Sequence, residues 1–242
     1  MANPRIRGGG RILLCAIALF AGACAELDPA LVGELLGGLA SAPDERRVAA
    51  GLTEALEVGS RRTVDATSRT DGFFGNALIR VAIPGELDTM ARALRAIGLS
   101  RQVDSFELAM NRAAERASGE AVDVLVGSIR RMTWQDALGI LNGGRSAATD
   151  YFRRSTSAEL RTRFSPIVES SMQRVGVVRI YGELESAYSS LPLAPRVRFD
   201  LEGYVTDRAI DGLFVVLAQE EARIREDPAA RTTALLREVF GR

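Results

Sequence analysis

The stretch Met132–Ile167, MTWQDALGILNGGRSAATDYFRRSTSAELRTRFSPI, decides the fold class, because helix starts and stops crowd it so closely that only helices fit between them. Thr133 and Asp136 have capping-box spacing, in which hydroxyl and carboxylate satisfy orphan amides at a helix start. Trp134, Ala137, Leu138 and Leu141 follow at i, i+3, i+4 and i+7, one face of a helix. Asn142-Gly143-Gly144 predicts its end, glycine taking the left-handed cap conformation without steric cost. Thr156 with Glu159 predicts a second capped start, and Ser165-Pro166 a third, with proline at the first helical position. The pattern predicts an all-α fold, a single multi-helix globular domain.

Working toward the C-terminus, the chain stays helical from Pro166 to Arg174. Gly176 breaks it, and Tyr181–Ser190 forms a short helix. Leu191-Pro192-Leu193-Ala194-Pro195 reads as an extended connector, since proline disfavours helix in the residue before it. Thr206 is the expected cap of a helix whose inner face carries Ile210, Leu213, Phe214, Leu217 and Ile224. Asp207 and Glu221 fall on or near that face, and a carboxylate there needs a partner. Arg225, one turn after Glu221, is the nearest by sequence. Asp227-Pro228 ends this helix and opens a last one with Leu235, Leu236, Val239 and Phe240 as its apolar side.

Toward the N-terminus, Pro43-Asp44 opens a helix bearing Val48, Leu52, Ala55, Leu56 and Val64, which ends before Thr70-Asp71-Gly72. The adjacent Phe73 and Phe74 lie in a glycine-rich loop that one of them should tuck into the core, because large exposed apolar patches are rare. Leu78–Ile83 has the composition of a short strand, but a lone strand lacks a partner and no sheet is expected. Glu86–Ile97 should be a helix stopped at Gly98. One long helix should follow Ser100, with Val103, Phe106, Met110, Ala113, Ala117, Ala121 and Val124 on a stripe whose alanines suit close helix approach. Asn111 lies beside this stripe and is expected to be a structural amide bonding a neighbouring backbone.

The first 25 residues read as a signal peptide. Arg5, Arg7 and Arg11 precede an apolar run from Ile12 to Ala21, and small residues mark the exit. Ten residues rise only about 15 Å as a helix, roughly half a bilayer core. Two processing routes compete. Ala23-Cys24-Ala25 fits a small-x-small cleavage, whereas Ala21-Gly22-Ala23-Cys24 resembles a bacterial lipobox that has alanine where leucine is usual. The body has no other cysteine, which favours lipidation of Cys24. Residues 26–43 make a weak helix or a tether, and residues 44–242 the helical domain. Removing residues 1–25 takes three arginines and no acid, which from 31 of each leaves 28 basic against 31 acidic residues, a net charge of −3. Such a body has no basic footprint for nucleic acid and no polybasic membrane patch.

Chemistry is bounded by what is missing. Lysine and histidine are both absent, all 31 basic residues being arginine. That excludes Schiff-base and phosphate-loop lysines, histidine-based triads and the usual zinc and haem ligands. The expected function is a non-enzymatic binding or assembly module of the bacterial envelope, in the periplasm or lipid-anchored, acting on an envelope partner or ligand, with no cofactor and no metal. The alternative is a hydrolase or divalent-metal protein run by carboxylates alone. Its polar site would draw on Asp150, Asp207, Asp211, Glu220 and Glu221, with Asn111 and Asn142 as neutral donors and Arg225 as the cation. Lipid binding by an apolar stripe is a weaker third reading, since any helical core has such stripes.

Four phrases carry a resemblance: Phe106–Glu115 (FELAMNRAAE), Asp136–Gly144 (DALGILNGG), Tyr204–Asp207 with Asp211–Phe214 (YVTD, DGLF), and Pro228–Thr233 (PAARTT). Together they resemble the bacterial domain-of-unknown-function family number 4197, over nearly everything from Gly51 to Gly241. The resemblance implies an exported, often lipid-anchored protein. It implies no activity and assigns no catalytic residue.

Overall fold

The computed structural model describes residues 45–174, 176–192, 199–227, 230 and 237. Among these residues the fold is all helical, with no strand. The elements are α1 (Glu45–Ser68), a 3-10 turn at Gly85–Leu87, α2 (Asp88–Ala96), α3 (Ser100–Ser118), α4 (Ala121–Arg130), α5 (Trp134–Leu141), α6 (Ala147–Arg174), α7 (Val177–Ser189) and α8 (Leu201–Glu226). The leader, Cys24, the 26–43 tether, most of the Leu191–Pro195 connector and the predicted last helix lie outside the described residues. No described helix is long and apolar enough to cross a membrane.

The centre is a triangle of α3, α6 and α8, each packed on the other two. α6 supplies its most regular side. Ala148, Phe152, Thr156, Leu160, Phe164, Val168 and Met172 recur every four residues and are all buried, the row that packs as a ridge between neighbouring helices. α3 contributes alanines at 109, 113, 114 and 117, buried and small enough to bring backbones close. α8 is buried on most of its circumference, from Leu201 to Ile224. α7 covers α3 and α2, while α4 and α5 lie against α6.

The stretch that decided the fold class holds one helix junction instead of the expected series. α5 starts as predicted, with the Thr133–Asp136 capping box complete. Hydrogen bonds from the Thr133 hydroxyl and amide hold the Asp136 carboxyl below the usual carboxylate range. From Ala147 onward, however, α6 runs unbroken for 28 residues. Thr156 does not cap a start: its hydroxyl donates to the Phe152 carbonyl one turn back (2.6 Å), and Glu159 holds Arg131 and Arg163 instead. Pro166 sits inside the helix on its solvent side. There water can replace the amide that its ring withholds from the Thr162 carbonyl. The apolar ridge outweighs both local stop signals.

Gly143 does end α5, but not by a left-handed conformation, because the positive-φ glycines are Gly98 and Gly176. A Cβ at Gly143 would stand 2.5 Å from both the Ala147 Cβ and the Gly139 carbonyl oxygen. Glycine is needed there for close approach. The buried face of α5 is also rotated from the expected one: Ala137 and Ile140 are buried, whereas Trp134 and Leu138 are each 37% exposed.

Three further boundaries differ. The long helix after Ser100 is two helices, broken at Gly119-Glu120 by short i to i−3 bonds (Gly119 to Arg116, 3.3 Å; Glu120 to Ala117, 3.1 Å). The apolar stripe keeps its phase across the break, which is why the sequence pattern hides it. α7 begins at Val177, directly after Gly176 at φ 78°, instead of at Tyr181. α8 begins at Leu201, capped by Asp200 accepting from the Gly203 amide (2.9 Å); Thr206 is buried in its second turn.

Candidate functional site

Glu221 and Arg225 lie one turn apart near the end of α8 and act together, as their spacing predicts. Glu221 accepts from the Ala148 amide (2.9 Å), the Thr149 amide (2.8 Å) and the Thr149 hydroxyl (2.8 Å). These are first-turn donors of α6, which have no partner within their own helix. A carboxylate at this end also meets the positive pole of the helix dipole. Arg225 donates to Glu221 (3.0 Å) and to the Ile140 carbonyl (2.8 Å) near the end of α5. One ion pair on α8 thus ties the end of α5 to the start of α6 with the favourable charge at each pole. Leu52, Ala55, Leu56, Phe152, Leu217 and Ile224 wall an apolar groove beside it.

Asn111 serves a second clamp. Its amide group donates to the Val81 carbonyl (2.8 Å) and accepts from the Val81 amide (2.9 Å). This copies the two-bond exchange of paired antiparallel strands, and it explains how the strand-like run around Val81 is satisfied without a sheet. Four residues on, Glu115 is 3% exposed and accepts from the Phe73 and Phe74 amides (3.2 and 3.3 Å). Arg112 joins Glu115 to Asp71 at 2.7 Å on each side. Burial works against the Arg112 charge, but bonds and attraction from Glu115 and Asp71 outweigh it and raise its pKa. Phe73 is fully buried, as the sequence predicted for one of the pair, against Gly212 of α8.

The other sequence candidates do not converge. Asp207 pairs with Arg161 and Asp211 with Arg153 (3.2 Å), antiparallel rungs between α8 and α6. Glu220, buried, holds Arg223 (2.7 Å) and faces Arg62 at 3.9 Å. Asp150 is exposed and accepts from the Ser146 hydroxyl (3.0 Å). Asn142 caps the end of α5 in the open. Among the described residues no three acids gather as a possible metal ligand set.

Sequence reasoning missed Glu115, whose place one turn after Asn111 on the buried side was the available signal. It also missed Glu202, whose pKa is raised by burial and then by Glu169 and Asp200. Those three acids border a depression that includes Tyr181 and Phe199. Sequence spacing gives no hint of it, because Glu169 comes from α6.

No curated protein and no solved structure matches this chain. A family model described as a protein of unknown function matches residues 42–241, which hold every described helix, both clamps and the phrases that carried the resemblance. The chain belongs to the DUF4197 family.

Proposed function

We propose that the protein is exported to the bacterial envelope and works there as a non-enzymatic helical binding or assembly module, anchored by a lipid on Cys24 or freed by cleavage beside it. The leader sequence supports export. What supports a binding or assembly role is the destination of the polar side chains: Glu221, Asn111 and Glu115 grip the protein's own backbone, and Asp207, Asp211 and Glu220 each hold an arginine. Carboxylates committed in this way are held in fixed ionic contacts, whereas a hydrolytic pair needs one member free to carry a proton.

The test is to express the full chain in a bacterium, fractionate the cells, and weigh the mature N-terminus. A lipid-modified Cys24 or a terminus beside Ala25 is expected. Intact Met1 in the cytoplasm refutes export. Calcium- or magnesium-dependent melting, lost on replacing any of the candidate acids, would replace this reading with the divalent-metal-binding alternative.

A further inference from the structure

A side-chain carbonyl followed by glycine can be attacked by the glycine nitrogen, and the fold decides where that nitrogen is free. Aspartate or asparagine precedes glycine at Asp71-Gly72, Asn142-Gly143 and Asp211-Gly212. The Gly72 amide donates to the Arg69 carbonyl (2.9 Å), and Arg112 holds the Asp71 carboxylate (2.7 Å). Gly212 lies in the interior of α8, within its amide ladder. Neither nitrogen is free to attack.

Asn142 differs from both. It caps α5 in the open, and its side chain makes no hydrogen bond with any described residue. The Gly143 amide likewise has no acceptor among the described residues. At φ −87° and ψ −4°, bringing the Gly143 nitrogen onto the Asn142 side-chain carbon needs a turn about the Asn142 Cα–C bond. The two exposed glycines that follow are the residues best able to absorb it. The close fit at Gly143 excludes a Cβ, so no side chain shields the attacking nitrogen. The other described asparagines lack this freedom. Asn111 exchanges two bonds with Val81 (2.9 and 2.8 Å) inside α3. Asn76 accepts from the Leu78 amide (3.1 Å) and is followed by alanine, whose methyl group crowds the nitrogen.

We propose that Asn142-Gly143 is a site of spontaneous covalent modification that ages the junction between α5 and α6. The Gly143 nitrogen, its proton lost to solvent, bonds the Asn142 Cγ; the bond from that carbon to the side-chain nitrogen breaks, and this nitrogen takes up a proton and leaves as ammonia. Water then opens the cyclic imide at either carbonyl. The products are aspartate or an isoaspartyl link, which carries the main chain through the side chain and lengthens it. Both put a carboxylate at the negative pole of the α5 dipole, close in the chain to the Ile140 carbonyl that Arg225 holds (2.8 Å). The longer link also disturbs the fit at Gly143.

The reaction consumes nothing but water, so it is independent of export. Its test keeps the full-length protein in mildly alkaline buffer, which favours the deprotonated nitrogen, and samples it over time by peptide mass spectrometry, isoaspartyl methyl labelling and thermal melting. Loss of the Asn142 amide is expected while Asn76 and Asn111 stay intact, with isoaspartate among the products and a melting temperature that falls as they accumulate. Asn142→Gln, whose longer side chain closes the ring slowly, should melt as the fresh parent does and hold that temperature through the same incubation. An Asn142 amide that persists, or is lost no faster than that of Asn76, overturns the assignment. Conversion with no fall in melting, or an equal fall in Asn142→Gln, overturns the effect on the junction.

Discussion

Replacing Glu221 by alanine tests the clamp at its centre. The carboxylate is 8% exposed and accepts four hydrogen bonds, from the Ala148 amide, the Thr149 amide and hydroxyl, and Arg225. Truncation strands two amides at a buried helix start, each costing about 1–3 kcal/mol when left without an acceptor, and removes the Glu221 carboxylate from Arg225. Breaking a buried pair from one side costs about 3–5 kcal/mol. The expected loss is therefore roughly 4 kcal/mol, a large share of the 5–15 kcal/mol typical of a domain. Glu221→Gln keeps the shape and one acceptor oxygen and should lose about half as much. Urea unfolding followed by far-ultraviolet circular dichroism measures both. In a double-mutant cycle, Arg225→Met should couple to Glu221→Ala by roughly 1–3 kcal/mol. A loss under about 1 kcal/mol for Glu221→Ala, or no coupling, refutes the clamp.

Other changes have equally definite signs. Gly59→Ala in α1 should stabilise by about 1 kcal/mol from helix propensity, because its Cβ would meet the Ile224 Cδ1 at an ordinary 3.6 Å. Gly212→Ala in α8 should destabilise by about 1–3 kcal/mol through overpacking, since its Cβ would stand 2.5 Å from the Phe73 ring and 3.1 Å from the Ile79 Cβ; melting of both variants side by side decides. Asn111→Leu should cost about 2–4 kcal/mol by orphaning both polar groups of Val81, and amide exchange should accelerate at Val81 before it does in α6. The lowered Asp136 pKa means that its capping contribution is full above the ordinary aspartate range and is lost as pH falls through the depressed folded value. Thr133→Val should move the Asp136 titration, followed by nuclear magnetic resonance, back up toward the ordinary range.

Periodicity and punctuation revealed the fold class and most helices, and they failed where local and long-range preferences disagree. Thr156-x-x-Glu159 and Ser165-Pro166 are sound start signals in isolation, yet both fall within a buried row of residues spaced by four, and α6 continues through them. The rotation of α5 has the same origin. Its apolar residues occupy more than half the circumference, so spacing alone left two faces possible, and packing on α6 chose Ala137 and Ile140 over Trp134 and Leu138. The break at Gly119-Glu120 was hidden for the opposite reason: the stripe continues in phase across it.

For polar residues the line between legible and hidden follows sequence distance. The Glu221–Arg225 pair was visible because its members are four residues apart, but the α6 amides that it grips lie 72 and 73 residues away. Asn111 could be read as a structural amide from its place beside an apolar stripe; that its target is Val81, 30 residues upstream, could not. A search that begins with polar residues on apolar helix faces is thus drawn to buried groups, and a buried group must be satisfied by the fold if the protein is to be stable. In this chain such residues hold loops and helix ends in place. A ligand needs the reverse condition, a charged group at a cleft whose bonding capacity the fold has not used.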